Sequence, residues 1–514
     1  MTLSPRNRRA LAASAVLAAV AGVTTLVAPP ASATPAEPAA SAPAAAAAHF
    51  VVLGPQGGSL TTTEASVKQA GGQVVQSWPQ IGVVIAKSSK ADFAAAVRTM
   101  PGIAGAGASR NLAELAPGGG AAAAGSTSLE KVEGAMSAAD VKAAATAATA
   151  AAEEPLAAYQ WDMRMIKSDK AHAISTGSRD VLVGVLDVGV DATHPDLAPN
   201  IDPVNSVGCT NSGVPDTSPA AWVPTGLSHG THVAGTIAAA RNGVGIVGVA
   251  PNVRIASIKV GDDSGKIYPE YAICGFVWAA EHGMEVTNSS YFVDPWYRWC
   301  NDDADQRAAA EGVRRAIDYS ARKDVVNVAA LGNSNWDLAH TIIDENSPNN
   351  GDGHDPITPR VTTEACTTVP AEVPGVVGVS SVGAKALKSH FSNYGVGDTD
   401  VTAPGGASFQ HPDTPDMPGS VLSTLAGGGW GFMMGTSMAS PHVAGVLALI
   451  RSTHPDWSAQ QTIAALQRDA DPLPCPPGIY DPGGWGIYKA ECQGGPAGTG
   501  FYGSGLVDAL DAVR

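Results

Sequence analysis

Three reactive side chains stand far apart in the sequence, each in a distinctive local context. Asp187 directly follows the apolar run at 181–186. His229 opens the segment His-Gly-Thr-His-Val-Ala-Gly-Thr, and Ser437 lies within Gly-Thr-Ser-Met-Ala-Ser-Pro-His-Val-Ala-Gly. A carboxylate that orients an imidazole, which takes the proton of a hydroxyl, makes a serine nucleophilic. Together these groups could perform acyl transfer, whereas alone they read as a turn residue, a helical histidine and a helix cap.

The elements around these residues predict how they could meet. Near-continuous apolar runs at 181–186, 254–260, 325–331 and 376–382 predict strands covered on both faces, which indicates a mostly parallel sheet flanked by helices on both faces. In such sheets functional groups gather at the carboxyl ends of the strands. Ser437 precedes a long apolar helical run, and Pro441 is tolerated only early in a helix, so Ser437 is expected in or just before the first turn. The free N–H groups there favour a developing oxyanion.

The chain order Asp, His, Ser with these contexts resembles the subtilisin-like peptidases, for which this order is a known feature. The resemblance covers residues 157–513 and implies a subtilisin-like α/β domain at 155–514. It implies a serine endopeptidase that acts on proteins and peptides, with Asp187, His229 and Ser437 as the catalytic triad. Asn333, in a Gly-Asn-Ser context after the third apolar run, would donate its side-chain amide to the oxyanion. No cofactor is required for this chemistry.

The same resemblance implies a substrate channel between residues 259–265 and 288–292. The residues it assigns to substrate binding are Gly261, Ser290, Tyr291, Phe292 and Gly332. Where the family has Leu-Gly after the serine, this chain has Tyr291-Phe292, so Phe292 either narrows the primary pocket or turns outward. The aromatic stretch 294–300 is a further departure. A processing enzyme with a narrow substrate range therefore stays open beside a broad protease.

A structural calcium ion is a further implication of the resemblance. Asp196, in His-Pro-Asp-Leu, matches a family ligand, and residues 241–246 match the calcium loop in length. The expected oxygen ligands are Asp196, Asn242 and Val244, joined by Gln160 or Asp162. The alternative is that Asp196 is only a turn residue.

The residues before the catalytic domain divide into four segments. Residues 1–33 carry three arginines, an apolar run and Ala-Ser-Ala, which predicts a signal peptide and an extracellular protein with no membrane contact after its removal; the alternative is a membrane anchor. Residues 34–48 are a Pro/Ala tract with no reason to fold. Residues 49–116 show a β-α-β-β-α order and resemble the family's ferredoxin-like prodomain, an intramolecular inhibitor and folding aid. Residues 117–154 are an Ala/Gly-rich linker, and self-cleavage is expected between 117 and 158.

Composition narrows the possible partners. The net charge of −16, with 31 Lys and Arg in 514 residues, argues against nucleic acid and suits a soluble monomer. An exported chain with six cysteines favours disulfides. Sequence proximity favours Cys475–Cys492 and Cys274–Cys300, which leaves Cys209–Cys366; the alternative is fewer pairs with free thiols. The rival from another class is a catalytically silent secreted binding protein on the same scaffold.

Overall fold

A computed structural model describes residues 47–110, 132–137, 139, 141, 154–349, 359–413, 418–495 and 498–514. The predicted signal peptide (1–33) lies outside these residues, as does nearly all of the Pro/Ala tract (34–48). Among the helices of the described part of the chain, none combines the length and the apolar character needed to cross a bilayer.

The first described segment forms a small antiparallel sheet with two helices. Its elements are β1 (Ala48–Leu53), α1 (Thr61–Gln69), β2 (Gln73–Trp78), β3 (Val83–Ser88), α2 (Phe93–Arg98) and β4 (Gly105–Ala108). The strand order is β2-β3-β1-β4, and every neighbouring pair is antiparallel. The predicted β-α-β-β-α order is present, and the structure adds β4, whose Gly-Ala-Gly-Ala sequence carries no strand signal. We call these residues, 48–108, the N-terminal unit.

The rest of the chain is built around a parallel sheet. The strands of this part of the chain, within and outside that sheet, are β5 (Gly134–Ala135), β6 (Leu182–Asp187), β7 (Val207–Gly208), β8 (Arg254–Lys259), β9 (Val286–Ser289), β10 (Trp299–Cys300), β11 (Val326–Ala330), β12 (Ile342–Asp344), β13 (Arg360–Thr362), β14 (Cys366–Thr367), β15 (Val376–Val382), β16 (Val401–Pro404), β17 (Val421–Leu425), β18 (Gly429–Met433), β19 (Ile479–Tyr480), β20 (Ala490–Glu491), β21 (Gly494–Gly495) and β22 (Gly498–Thr499). Seven of them form one sheet in the order β16-β15-β11-β9-β6-β8-β7, with all neighbours parallel. The four predicted apolar runs are β6, β8, β11 and β15.

Helices cover both faces of this sheet, as the continuous apolar strands require. They are α3 (Trp161–Met165), α4 (Ser168–Ala171), α5 (Pro219–Trp222), α6 (His229–Ala238), α7 (Pro269–Glu281), α8 (Ala304–Arg322), α9 (Thr436–Thr453) and α10 (Ala459–Arg468). Alternate side chains of β6 point into two separate cores: Val183 and Val185 pack with α6 and α9, while Leu182 and Leu186 pack with α7 and α8. The predicted fold class of the catalytic region is confirmed.

Three disulfides join the described cysteines, and two of the predicted pairings are wrong. The pairs are Cys209–Cys274, Cys300–Cys366 and Cys475–Cys492, so only the last was predicted. Cys300 and Cys366 face each other across β10 and β14. The two unpredicted pairs, Cys209–Cys274 and Cys300–Cys366, each join residues more than 60 positions apart. Tertiary pairing of distant strands and helices, rather than proximity in sequence, therefore selects the partners.

The N-terminal unit packs on α7 and α8. Its sheet contributes apolar side chains to the core beneath those helices: Val51, Leu53, Trp78, Ile81, Val83 and Ile85. Arg110, just after β4, donates to the buried Glu270 at 3.2 Å and to the Tyr271 hydroxyl at 2.7 Å, and it lies 3.9 Å over the Tyr268 ring. Arg315 on α8 reaches back to the carbonyl of Gly54 at 3.0 Å. Apolar burial and a charged anchor thus hold the two parts together.

Part of the predicted linker joins the catalytic region instead of spanning open space. β5 extends the β17–β18 hairpin by pairing antiparallel with β18. Glu133 and Met136 on either side donate backbone N–H groups to β18, and the Ser420 hydroxyl donates to Glu133. Residues 132–137 of the predicted linker are therefore held against β18 by backbone pairing.

Candidate active site

An acid–imidazole pair lies at the carboxyl end of β6. Asp187 ends that strand and is fully buried, and His229 is the first residue of α6. His229 Nδ1 lies 2.9 Å from Asp187 Oδ1 and 3.0 Å from Oδ2, while the backbone N–H of Val188 donates to Oδ1 at 2.8 Å. The carboxylate therefore accepts the Nδ1 proton, which places the imidazole lone pair on Nε2. This is the tautomer that a general base needs.

Gly230, the residue after His229, allows α6 to pack closely against the end of β6. A methyl group on Gly230 would lie 2.5 Å from the Gly189 carbonyl oxygen and 3.0 Å from the Asp187 side chain. One turn further along α6, His232 is fully buried, and burial lowers its pKa to about 3, with His229 adding to the effect. His232 is thus neutral, and its Nε2–H donates within the fold to the Val421 and Gly431 carbonyls.

Ser437 is the second residue of α9, as the sequence predicted. It is 2% exposed, and its hydroxyl donates to the Ser290 carbonyl at 3.1 Å. A serine at the first turn of a helix lies beside N–H groups that have no partner within the helix. A carbonyl that reacts with this hydroxyl would develop its negative charge next to those donors.

Ser290 serves the fold with its side chain. Its hydroxyl accepts from Asn288 Nδ2 at 2.9 Å, donates to the Ser437 carbonyl at 2.9 Å, and lies 2.8 Å from the Ser440 hydroxyl. These bonds tie the end of β9 to the first turn of α9, and Ser290 has no exposed surface. The side chain of Ser290 is therefore occupied within the fold.

Asn333 follows the carboxyl end of β11. Its side chain is oriented by Thr436, the residue before Ser437. Asn333 Oδ1 accepts from the Thr436 backbone N–H at 2.9 Å and from its hydroxyl at 3.0 Å. The Gly332 N–H donates to the same hydroxyl at 3.0 Å. Because the amide oxygen is held in this way, the amide nitrogen is directed to the opposite side. Asn333 is exposed, in contrast to the buried pair at His229.

The remaining predicted substrate residues line the ends of β8 and β9. Gly261 is buried, and its N–H donates to the Asp187 carbonyl at 3.1 Å. Tyr291 is almost fully buried, and burial raises the pKa of its hydroxyl. Phe292 is also buried: its ring stacks on Tyr297 at 3.9 Å, and Tyr297 meets Trp336 edge-on at 5.6 Å. The aromatic stretch after β9 therefore joins the segment after Asn333, a contact that the sequence did not indicate.

The loop predicted to bind calcium is arranged for carboxylates instead. The N–H groups of Gly243 and Val244 donate to the two oxygens of Glu154 at 3.0 and 3.1 Å, and the Ile246 N–H donates to Asp196 Oδ2 at 3.0 Å. Trp430 Nε1 donates to that oxygen at 2.8 Å. A calcium site needs oxygens that converge on the ion, whereas three of the carboxylate oxygens here accept backbone N–H groups of the loop.

The other predicted calcium ligands are also engaged elsewhere. Asn242 Oδ1 accepts from the Val244 N–H at 3.1 Å. Gln160 bonds both ways to the Val247 backbone, and Asp162 pairs with His442 at 3.0 Å. Two carboxylate oxygens of the predicted set, Asp162 Oδ1 and Asp196 Oδ1, are buried without a hydrogen-bond partner and would suit a cation, whereas the other side-chain oxygens of the set are bonded within the protein. The residues as arranged do not fit calcium, and Glu154, which sequence reasoning missed, is the side chain that holds the loop.

Fold and site together define a serine hydrolase. The sequence profile of the subtilase family matches residues 178–490, more than half of the chain. The chain therefore belongs to the subtilase family and is a serine peptidase. It is similar to subtilisin NAT of Bacillus subtilis subsp. natto, with 30% identity over 319 residues that cover 62% of this chain and 68% of the relative. A subtilisin of Bacillus pumilus is 31% identical over 310 residues, covering 60% and 90%.

Solved structures show the same fold. The epidermin leader peptide processing serine protease of Staphylococcus aureus superposes with a TM-score of 0.64 at 21% identity, covering 91% of this chain and 98% of that one. Fervidolysin from Fervidobacterium pennivorans, a keratinolytic enzyme related to subtilisin, gives a TM-score of 0.58 at 23% identity, covering 91% and 61%. At these identities the likeness concerns the fold alone.

Proposed function

We propose that this serine peptidase is a secreted endopeptidase that cleaves proteins through an acyl-enzyme on Ser437. The observation that carries the proposal is the 2.9 Å contact between His229 Nδ1 and Asp187 at the sheet edge where α9 presents Ser437. The acid fixes the base in the required tautomer, and the helix start supplies donors for the oxyanion. A binding protein would have no use for this arrangement.

The proposed reaction uses side chains of this chain only. The Ser437 hydroxyl turns from the Ser290 carbonyl toward His229, gives its proton to Nε2, and its oxygen bonds to the scissile carbonyl carbon. Asn333 and the Ser437 N–H stabilise the resulting oxyanion. The carbon–nitrogen bond then breaks as His229 returns the proton to the leaving amine, and water hydrolyses the ester by the reverse sequence. Asp187 stabilises the imidazolium that forms in both halves.

The experiment compares the purified enzyme with Ser437→Ala on a denatured protein mixture, with product peptides identified by mass spectrometry. We expect new internal termini from the parent enzyme and none from the variant. Equal cleavage by Ser437→Ala would assign the activity to another residue or a contaminant. Release of single terminal residues alone would contradict an endopeptidase.

We also propose that the chain is made as a zymogen, with residues 49–116 as its ferredoxin-like prodomain. The support is the packing of the N-terminal unit on α7 and α8 and the Arg110–Glu270 anchor. The parallel sheet, which pairs distant segments, gives a folding aid a physical purpose. Ser437→Ala should accumulate as full-length precursor outside the cell. A shortened product from that variant, without added protease, would contradict self-processing.

A narrower processing role is a second candidate. It is favoured by the contact of Phe292 with Tyr297 and Trp336, which fills space beside the predicted channel with aromatic rings. The names of two structural neighbours, an epidermin leader peptide processing protease and a lanthipeptide protease, fit such a role. Cleavage of few sites sharing one sequence pattern in the denatured mixture would support it, and dispersed cleavage would exclude it.

A further inference from the structure

Asn393 is a buried side chain that sequence reasoning did not select. It lies between β15 and β16 and is 2% exposed. Its Nδ2 donates to the Leu331 carbonyl at 2.9 Å, and its Oδ1 accepts from the N–H groups of Ser334 and Trp336, both at 3.0 Å. Its own backbone N–H donates to the Gly332 carbonyl at 2.8 Å. One residue therefore bonds to the chain on both sides of Asn333.

The backbone at Gly332 makes this contact possible. Gly332 has a φ of +106°, a conformation that L side chains rarely adopt. A methyl group there would lie 2.6 Å from Asn393 Nδ2. The turn that carries Asn333 is thus shaped around the amide of Asn393, and only glycine adopts this conformation without a steric cost.

Asn333 is therefore held at two levels. Thr436 fixes its side-chain oxygen, whereas Asn393 fixes the backbone before and after it. Thr436 adjoins Ser437, so the side chain is aligned to the nucleophile. Asn393 lies in the connection between two strands of the sheet, β15 and β16, so the backbone is aligned to the fold. Both constraints are needed to place the amide nitrogen at one point relative to the Ser437 hydroxyl.

We propose that Asn393 is a positioning residue that sets the oxyanion donor Asn333 in place. The inference rests on the proposed function of Asn333 and extends it to a residue that has no contact with substrate. An oxyanion donor acts through preorganisation, and displacement by about 1 Å can cost on the order of 100-fold in rate. Loss of Asn393 should therefore lower kcat by about 10- to 100-fold and leave KM nearly unchanged, since Asn333 acts mainly in the transition state.

The alternative is that Asn393 only stabilises the fold, and a double-mutant cycle separates the two. Asn393→Ala, Asn333→Ala and the double variant are compared with the parent enzyme, with kcat expressed per active site titrated by a fluorophosphonate. If Asn393 acts through Asn333, Asn393→Ala should cost less than about threefold in the Asn333→Ala background. The proposal would be overturned if the fold-losses of kcat in the two single variants multiplied fully in the double variant. It would also be overturned if Asn393→Ala lowered the unfolding temperature and left kcat unchanged.

A matched control is Asn200→Ala. Asn200 is also buried, and its Nδ2 donates to the carbonyls of Ala238 and Pro251, both at 2.8 Å, far along the chain from Asn333. This variant should lose stability but keep kcat per active site within about twofold. If Asn393→Ala fails to fold, Asn393→Ser, which keeps a smaller polar group, replaces it throughout. If Asn333→Ala itself keeps full kcat, the oxyanion role has failed independently of Asn393.

Discussion

Two loops beside the same sheet were predicted to be functional from one family resemblance, and they are held in place by different kinds of partner. At 331–336 the structure places Asn333 beside Ser437, with its amide oxygen held by Thr436. At 241–246 the loop N–H groups bind the carboxylates of Glu154 and Asp196. The conformation of the first loop is stabilised by Thr436, which belongs to the Ser437 motif. The conformation of the second loop is stabilised by Glu154, which belongs to a distant segment of the chain.

This difference shows which contacts a sequence motif can predict. Thr436 and Asn333 belong to two segments that both match the family, so their contact is carried by the resemblance. Glu154 lies outside the matched residues 157–513, and its carboxylate satisfies the N–H groups that would otherwise need other partners. A carboxylate from a distant segment can thus hold a loop whose own sequence does not predict that partner.

The largest expected effect concerns the acid–imidazole pair. Asp187→Asn should lower kcat by about 10⁴-fold, a size measured in a subtilisin and another serine protease, because the amide can stabilise the wrong imidazole tautomer. The control is Asp191→Asn: Asp191 lies four residues on, and its carboxylate bonds to Thr193 and Gly427. Steady-state kinetics on a peptide substrate should show at most a few-fold loss for the control. Equal losses of kcat in Asp187→Asn and Asp191→Asn would mean that negative charge near the site, rather than control of the His229 tautomer, determines the rate.

The next effect compares the two loops directly. Asn333→Ala should lower kcat by about 100- to 1000-fold, a range obtained on a subtilisin, since one oxyanion donor is lost. Asn242→Ala in the other loop removes an asparagine whose side chain bonds to Pro195 and Val244, away from Ser437, so kcat should be unchanged. A comparable loss of kcat in both variants would show that the loops do not differ in the way described.

A smaller effect tests Glu154, the carboxylate that holds the loop at 241–246. Glu154→Gln loses two charge-assisted bonds, each worth about 1.5–3 kcal/mol at most, and should lower the apparent unfolding temperature by a few degrees. Chelator or added calcium should leave that temperature unchanged in the Ser437→Ala precursor. Glu345→Gln, an exposed carboxylate, is the control. A calcium-dependent rise in unfolding temperature that Asp196→Asn abolishes would contradict the account of this loop.

The smallest effect concerns pH and the N-terminal unit. Burial lowers the pKa of His49 to about 4, opposed by Glu270 and assisted by Arg110 and Lys87, and His49 lies 3.0 Å from the Ser212 hydroxyl. Unfolded chain binds a proton near pH 6.5 while the native state does not, so this stability is full above pH 6.5 and declines as the pH falls toward 4. Proteolysis of the precursor's N-terminal unit should therefore accelerate in acid, and less so in His49→Gln. An identical pH profile in both would contradict it.

The sequence predicted those parts of the fold that local patterns specify. β15 was predicted at its observed bounds, and the placement of Ser437 followed from Pro441 and the apolar run of α9. Long-range partners were not predictable. The pairing of Cys300 with Cys366 follows from the strands β10 and β14, which are two residues each and leave no periodic signal. Asn393 acts only through the chain fold around Gly332, so nothing in its own neighbourhood marks it.

The most direct test of the central claim is the mass of the enzyme after reaction with a fluorophosphonate. The account predicts one adduct per molecule, mapped to Ser437, with labelling abolished in Ser437→Ala and slowed in Asp187→Asn and Asn333→Ala. A native, folded protein that stays unlabelled, or one labelled equally at another serine, would contradict the assignment of Ser437 as the nucleophile.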